Sequence, residues 1–286
     1  MRLSTLAVAP SSDYALVDSG NGRKLERCGP FRFIRPEPQA MWPPASDDWQ
    51  ADGIFTGGSD ETGGGRWSLS PSLPPRWPIV QAGIRLWATP TPFRHLGFFP
   101  DMAPHWEAVA AACGPGTRLL NLFGYSGVAS LVAARAGAEV VHVDASRKAI
   151  AMARENALLS GLEAAPVRWI VEDARSFVAR EIRRGRRYTA VLLDPPKYGR
   201  GPNGEVWSLE TDLLPLLSAC AQLLDGKGRL MIVTTYAVRL SALALARAVE
   251  TATRPLGGAV AAGEMALAEE ARGSLLPTAI FARWTA

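Results

Sequence analysis

The residues best placed to do chemistry stand at the ends of apolar runs. In "VLLDPPKYGRG", residues 191–201, an apolar run stops at Asp194 and is followed by Pro195, Pro196, Lys197 and Tyr198. Two prolines fix two φ angles and remove two N–H donors, so the chain leaves in one rigid, extended direction. Such rigidity suits a strand mouth where something must be held. A second run ends in "NLFGYSGVAS", residues 121–130, where Gly124 and Gly127 permit a tight turn and close backbone approach. The helix expected after them offers N–H groups to a carboxylate or phosphate. A third ends in Asp144, 20 residues after Gly124, the spacing at which an acid accepts hydrogen bonds from both hydroxyls of a ribose. A fourth ends in Glu172 and Asp173. Asp144 and Asp173 each precede a helical segment, and either alone could be a helix N-cap. Together the four favour a nucleoside site.

These groups need a sheet to hold them. Apolar runs at 118–123, 139–144, 167–172, 189–194 and 228–235 alternate with helix-period segments such as "SRKAIAMARENALLSG" (146–161) and "SLETDLLPLLSACAQLL" (208–224). Strands buried on both faces and alternating with helices give an α/β fold, a doubly wound and mostly parallel sheet. Ligands of such sheets bind beyond the carboxyl ends of the strands. The tail differs, since "GAVAAGEMAL" (258–267) and "PTAIFARW" (277–284) have no helix-length segment between them and read as an antiparallel closing hairpin. Before residue 93 the grammar is different again: short alternating runs such as "YALVD", "PFRFIR" and "GIRLWA" are parted by turn signals such as "SGNG". The chain therefore divides into a small β-rich region, 1–92, read as a substrate-recognition region, and an α/β domain, 93–286. Within the first, "TGGSDETGGGR" (56–66) has almost nothing to bury and reads as a mobile loop. Its tryptophans read as packing in a thin core rather than as platforms for bases.

Composition narrows the class. With 286 residues and 48% apolar content the chain fits a soluble globular protein. "MRLSTLAVAPSSD" has no apolar secretion core and no window suits a membrane span, so no membrane partner and a cytoplasmic location are expected. Cys28, Cys113 and Cys220 are too scattered and too few for a disulfide framework or a zinc site, and no metal is expected. The net charge of +4 arises from residues 107–286, with 21 basic and 17 acidic side chains against ten of each before. That excess fits a polyanionic partner better than a basic one.

A dinucleotide enzyme would carry G-x-G-x-x-G after the first strand, and only G-x-x-G is present; a Walker loop is missing altogether. A ligand with an amino-acid carboxylate, a ribose and an adenine remains, which suits S-adenosylmethionine. The motifs "NLFGYSG", "VDAS", "EDA" and "DPPKYGRG", in this order, resemble the Rossmann-like (class I) S-adenosylmethionine-dependent methyltransferases, and among them the bacterial branch that methylates large-subunit ribosomal RNA. The resemblance covers about residues 93–286 and implies a seven-stranded sheet with an antiparallel last strand. It also implies cofactor binding by Phe123, Gly127 and Asp194, and by Gly124, Tyr125 and Ser126, which would wrap the methionine part. Asp144 would bind the ribose, Ala145 would lie on the adenine face, and Asp173 with Ala174 would meet the adenine edge. "FRHLGFFPDM" (93–102) looks like the segment that folds over the cofactor in this branch, although Met102 follows Asp101 where relatives commonly have Gln.

The resemblance gives the doubled proline its role. Asp194, Pro195 and Pro196 match the motif that holds an amine or ring nitrogen in line with the reactive methyl, where orientation supplies much of the rate. Lys197 stands where an aromatic residue often follows, which makes Tyr198 the candidate for stacking on a base. Methylation of cytosine at carbon 5 needs a cysteine thiolate. The fourth and fifth strand ends carry "DPPKYG" and "TTYAV" without one, and Cys220 reads as core, so a base nitrogen is favoured. His95 reads as a structural histidine and "REIRRGRR" (180–187) as a solvated helix end. The expected function is thus an enzyme that methylates ribosomal RNA at a base nitrogen. The alternatives are a methyltransferase of a small molecule or protein, a nicotinamide-dependent oxidoreductase, and a cofactor-binding RNA module without catalysis.

Overall fold

The apolar runs and helix-period segments become strands and helices in the order their sequence pattern implies. A computed structural model describes residues 3–57, 64–224, 226, 228–236 and 238–286. The middle of the glycine-rich loop expected at 56–66 lies outside the described residues. In chain order the first strands are β1 (Leu3–Val8), β2 (Tyr14–Gly20), β3 (Arg23–Cys28), β4 (Phe31–Pro36), β5 (Gly53–Thr56), β6 (Arg66–Leu69), β7 (Trp77–Gln81) and β8 (Ile84–Ala88). Then come α1 (Ala103–Ala112), β9 (Arg118–Leu122), α2 (Val128–Arg135), β10 (Glu139–Asp144), α3 (Arg147–Leu159), β11 (Val167–Val171), α4 (Ala174–Arg183) and β12 (Ala190–Leu193). The chain ends with β13 (Tyr198–Arg200), β14 (Val206–Ser208), α5 (Leu209–Leu223), β15 (Leu230–Tyr236), α6 (Ala242–Thr253), β16 (Ala259–Ala268) and β17 (Leu275–Thr285).

The chain folds as two units. One takes the first residues to Thr5 with His105–Glu264 and Ala279–Ala286; the other takes Leu6–Pro104 with Met265–Thr278. The large sheet has the strand order β1-β16-β17-β15-β12-β9-β10-β11, so it holds eight strands where seven were expected. β15, β12, β9, β10 and β11 run parallel to one another, and β17 is antiparallel to β15. The eighth strand, β1, is "LSTLAV", whose mostly exposed residues lack the period-two alternation that marks a strand in sequence. It is admitted because Gly263 of β16 leaves the Ser4 backbone the space a Cβ would fill, and it covers an otherwise open strand edge.

The core of the α/β unit lies where Leu120, Leu122, Val191, Leu193, Met231 and Val233 of the sheet meet Phe177 of α4, Leu217 and Cys220 of α5 and Leu245 of α6. Each such side chain contributes about 1.5–3 kcal/mol when fully buried. Helices on both faces explain why these strands read as continuous apolar runs.

In the other unit β2-β3-β4-β5-β6 form one sheet and β7-β8 a hairpin. Its tryptophans pack inward: Trp77 stacks on Phe33 with ring centroids 5.4 Å apart, and Trp67 meets Phe33 edge-on at 5.8 Å. The indole N–H groups of Trp49, Trp67 and Trp77 donate to Asp18 (2.9 Å), the Thr91 carbonyl (2.7 Å) and the Cys28 carbonyl (3.1 Å). Buried Glu26 accepts from Tyr14 and from both Arg35 Nε (2.6 Å) and Nη2 (2.8 Å). His95 is half-buried, its Nδ1 accepting from the Gly97 N–H at 3.2 Å, and burial pushes its pKa down to about 3.

Candidate active site

The sheet order makes neighbours of the four strand ends that carry chemistry. β12, β9, β10 and β11 are consecutive and parallel, with Leu122 paired to Leu193 on one side and to Val143 on the other. The residues that follow, Asp194, Phe123 and Asp144, therefore leave the sheet at one level. Asp144 pairs in turn with Val171, so Glu172 and Asp173 follow at the next mouth. Parallel strands bring this about automatically, because every crossover returns the chain to the same end.

After β9 the backbone curls sharply. Phe123 (φ 56°), Tyr125 (φ 46°) and Gly127 (φ 84°) are all left-handed, and the two non-glycine residues cost roughly 1–2 kcal/mol each. Several bonds hold the curl: Gly124 N–H to Val143 O (3.1 Å), Gly127 N–H to Gly124 O (3.0 Å) and Asn156 Nδ2 to Ser126 O (2.9 Å). A Cβ on Gly124 would lie 2.6 Å from His142 Nδ1 and 2.9 Å from Nε2. The glycine is thus required by the fully buried imidazole beneath it, which hydrogen-bonds Ser130 Oγ at 2.9 Å and is kept neutral by burial, its pKa pushed down to about 3. Gly127 caps α2 without a side-chain bond, leaving N–H groups of the first turn for an anionic group.

Asp144 joins this loop to β10. Its Oδ2 accepts the Tyr125 N–H at 3.0 Å and its Oδ1 the Ser146 N–H at 2.8 Å, so each oxygen keeps a lone pair for another donor. Burial raises its pKa, and the two N–H bonds oppose that rise. Further hydroxyl donors would relieve the same penalty. Asp144 is not the cap of α3; Ser146 is, accepting the Ala149 N–H at 3.2 Å. Ala145 beside it is half-buried.

Asp173 behaves otherwise. It is the N-cap of α4, accepting the Ser176 N–H at 3.0 Å, and it pairs with Arg175 at 3.3 Å. Ala174 is buried in the first turn of α4, and Glu172 pairs with Arg180. The basic run at 180–187 is partly engaged in such pairs, including Arg184 with Glu181 at 3.5 Å.

At the fourth mouth Asp194 is half-buried, Pro195 buried and Pro196 exposed. The chain then forms the β13-β14 hairpin, registered Tyr198 to Ser208, Gly199 to Trp207 and Arg200 to Val206. Lys197 is half-buried and Tyr198 is 58% exposed. Sequence reasoning missed the residue that fixes this segment, Trp207. Its indole N–H donates to the Pro196 carbonyl at 2.7 Å, and its ring lies 5.1 Å from that of Phe123 in the curled loop. Arg175 sits 5.9 Å from the same ring and pairs with Asp212 at 3.0 Å, whose carboxylate also accepts the Ser208 N–H at 2.8 Å. The turn signal "GPNG" at 201–204 between two short runs was the available clue.

The donor set suits S-adenosylmethionine. The bared backbone around Gly124 to Gly127 can take the amino-acid end, and the Asp144 carboxylate with its remaining lone pairs can take the ribose. Among the described residues no cluster of His, Cys, Asp and Glu could hold a metal. Cys28 and Cys220 are buried with thiols pushed well up by burial, and burial raises Cys113 to about 11. None is a ready thiolate at neutral pH.

A parallel α/β sheet with these four adjacent mouths defines a nucleoside-cofactor site, and comparison with known proteins agrees. Residues 64–250 match the model of the S-adenosylmethionine-dependent methyltransferase family, to which this chain belongs. A crystal structure of the SAM-dependent methyltransferase from Agrobacterium tumefaciens is 45% identical, superposes with a TM-score of 0.94, and is matched over 99% of this chain and 93% of that one. A methyltransferase complexed with SAH shares the fold at 18% identity and a TM-score of 0.72, over 96% of this chain and 76% of the other. Among curated relatives, the ribosomal RNA large subunit methyltransferase I of Aeromonas salmonicida is 32% identical over 127 residues, 43% of this chain and 32% of its own length. The ribosomal RNA large subunit methyltransferase K/L of Shewanella baltica is 34% identical over 118 residues, 41% of this chain and 16% of its own. The chain thus spans about a third or less of the length of these curated relatives. No helix of the described residues is long and apolar enough to cross a membrane.

Proposed function

We propose that this protein transfers a methyl group from S-adenosylmethionine to a base nitrogen of large-subunit ribosomal RNA, working in the cytoplasm. The observation that carries the reading is the adjacency of Asp194-Pro195-Pro196 to the curled loop at 123–127, on paired parallel strands. When bound, the cofactor supplies an electrophilic methyl group. Phe123, Gly124, Tyr125, Ser126 and Gly127 hold its amino-acid end, Asp144 its ribose, and Ala145, Asp173 and Ala174 border the base. The Asp194 carboxylate accepts a hydrogen bond from the target nitrogen and fixes its direction, which raises the rate by orientation. The Trp207 indole N–H, bonded to the Pro196 carbonyl, holds the doubled proline in place beside Asp194. The lack of an accessible low-pKa thiol favours nitrogen over cytosine carbon 5, and the ribosomal RNA relatives supply the substrate class. Mass-spectrometric mapping of modified nucleosides in ribosomal RNA from cells with and without the gene tests this. One N-methylated base is expected to vanish from the large-subunit RNA; an unchanged set of methylated bases contradicts the assignment.

A further inference from the structure

The β13-β14 hairpin has two faces of opposite character. Gly199 and Trp207 form one, and Trp207 is only 3% exposed. The other face carries Tyr198, Arg200 and Val206, with Tyr198 58% and Val206 47% exposed and Arg200 also in solvent. Alternation along a strand puts Tyr198 and Arg200 on the same side, about 7 Å apart along it.

The hairpin is short, yet it is fastened at its base. The Trp207 indole is bonded to the Pro196 carbonyl, the Leu209 N–H donates to the Lys197 carbonyl at 2.9 Å, and Asp212 accepts the Ser208 N–H. The outward face is therefore set rigidly against the doubled proline. At the tip, Glu205 turns its carboxylate onto the hairpin's own backbone and side chain, accepting from Asn203 N–H (2.8 Å) and Nδ2 (3.1 Å). Each of its oxygens accepts one of these bonds. Arg200 has no ion pair among the described residues.

An exposed phenol and guanidinium beside a small apolar patch, all on a rigid ledge, suit one kind of occupant. Aromatic faces stack on bases of any sequence, and guanidinium groups hold phosphates. A base can reach Tyr198 only when it is unstacked, which a duplex does not offer. We propose that the outward face of the 198–208 hairpin is a substrate ledge for single-stranded RNA, with Tyr198 and Val206 taking a base near the target and Arg200 its phosphate. This inference rests on the RNA reading proposed for the active site and adds to it the surface, the strandedness and two further residues, Arg200 and Val206.

The test is fluorescence anisotropy with a short fluorescein-labelled oligoadenylate, alone and as its duplex with oligouridylate, over a range of salt. The single strand should bind more tightly than the duplex. Tyr198→Ala should weaken single-strand binding roughly tenfold or more, in line with the loss of one stacked base. Arg200→Ala should weaken it several-fold and reduce the slope of log K against log salt by about 0.7. Exposed Arg184→Ala, near the opposite end of α4, is the control and should change neither. S-adenosylmethionine calorimetry on each variant reports whether it is folded. If folded Tyr198→Ala and Arg200→Ala bind the single strand within twofold of wild type, the ledge is wrong while the RNA reading stands. If the wild type binds neither RNA but incorporates labelled methyl into protein, the RNA reading itself fails and the ledge with it.

Discussion

Replacing Gly124 with Ala tests the architecture of the cofactor loop through one buried contact. The added Cβ would stand 2.6 Å from His142 Nδ1 and 2.9 Å from Nε2, with Cε1 closer still, where ordinary contact begins at 3.4 Å. The ring must retreat by roughly an ångström or the loop must rise. Retreat is hindered, because His142 is fully buried, bonded to Ser130 at 2.9 Å, and packed 4.9 Å from the Trp169 ring. Such overpacking costs about 1–3 kcal/mol. Gly124 has no positive φ, so no backbone penalty is added. Restricting the unfolded chain returns about 0.4–1 kcal/mol. A net loss of about 1–2 kcal/mol in urea unfolding follows, with weaker S-adenosylmethionine binding by calorimetry if the loop is what moves. The decisive arm is the same substitution in a His142→Ala background. With the imidazole removed the methyl group has room, and Gly124→Ala should become neutral or slightly stabilising, giving a coupling of about 1–3 kcal/mol in the double-mutant cycle. An equal cost in both backgrounds refutes the argument that His142 dictates this glycine.

Two further outcomes concern carboxylates, one at the site and one in the β-rich core. Asp194→Ala should leave S-adenosylmethionine affinity within a few-fold but lower turnover at least ~100-fold, since the carboxylate acts on the nucleophile in the transition state; equal losses in binding and turnover would place it in the cofactor site instead. In the β-rich unit, burial pushes the Glu26 carboxyl up, but the Arg35 and Lys24 charges more than offset this and hold it at about 2 against an ordinary 4.5. A folded pKa below the unfolded one stabilises the protein above about pH 4.5, and that stabilisation is lost as pH falls through 4.5 towards 2. Glu26→Gln should cost about 3–5 kcal/mol by stranding the buried Arg35 charge, and should flatten the acid limb of stability, read as urea midpoints against pH. An acid limb as steep as that of wild type would exclude Glu26 as its source.

How far the sequence reaches is seen in particular residues. Strands buried on both faces favour apolar side chains on either side, so β9, β10, β12 and β15 show as largely apolar runs broken only by residues such as Asn121 and His142, and their order with the helices fixes a parallel α/β sheet. That sheet carries the curl at 123–127, Asp144, Asp173 and the doubled proline to one end, because parallel crossovers put every strand end on the same side. Composition and spacing therefore determined the fold class and the residues to inspect. They could not determine partners that meet only in space. Gly124 is required by His142, 18 residues away in the chain, and no local pattern announces that contact. Asp144 and Asp173 look alike in sequence, each an acid before a helix, yet the first turns its oxygens to Tyr125 and Ser146 while the second caps α4. Trp207 lies in a three-residue strand too short to show a period, and its role comes from the Pro196 carbonyl and the Phe123 ring beside it. β1 lacks an alternating pattern and became a strand only because Gly263 cleared space for the Ser4 backbone. Periodicity records how an element meets the core as a whole, and the identity of a single neighbour is settled only when the chain has packed.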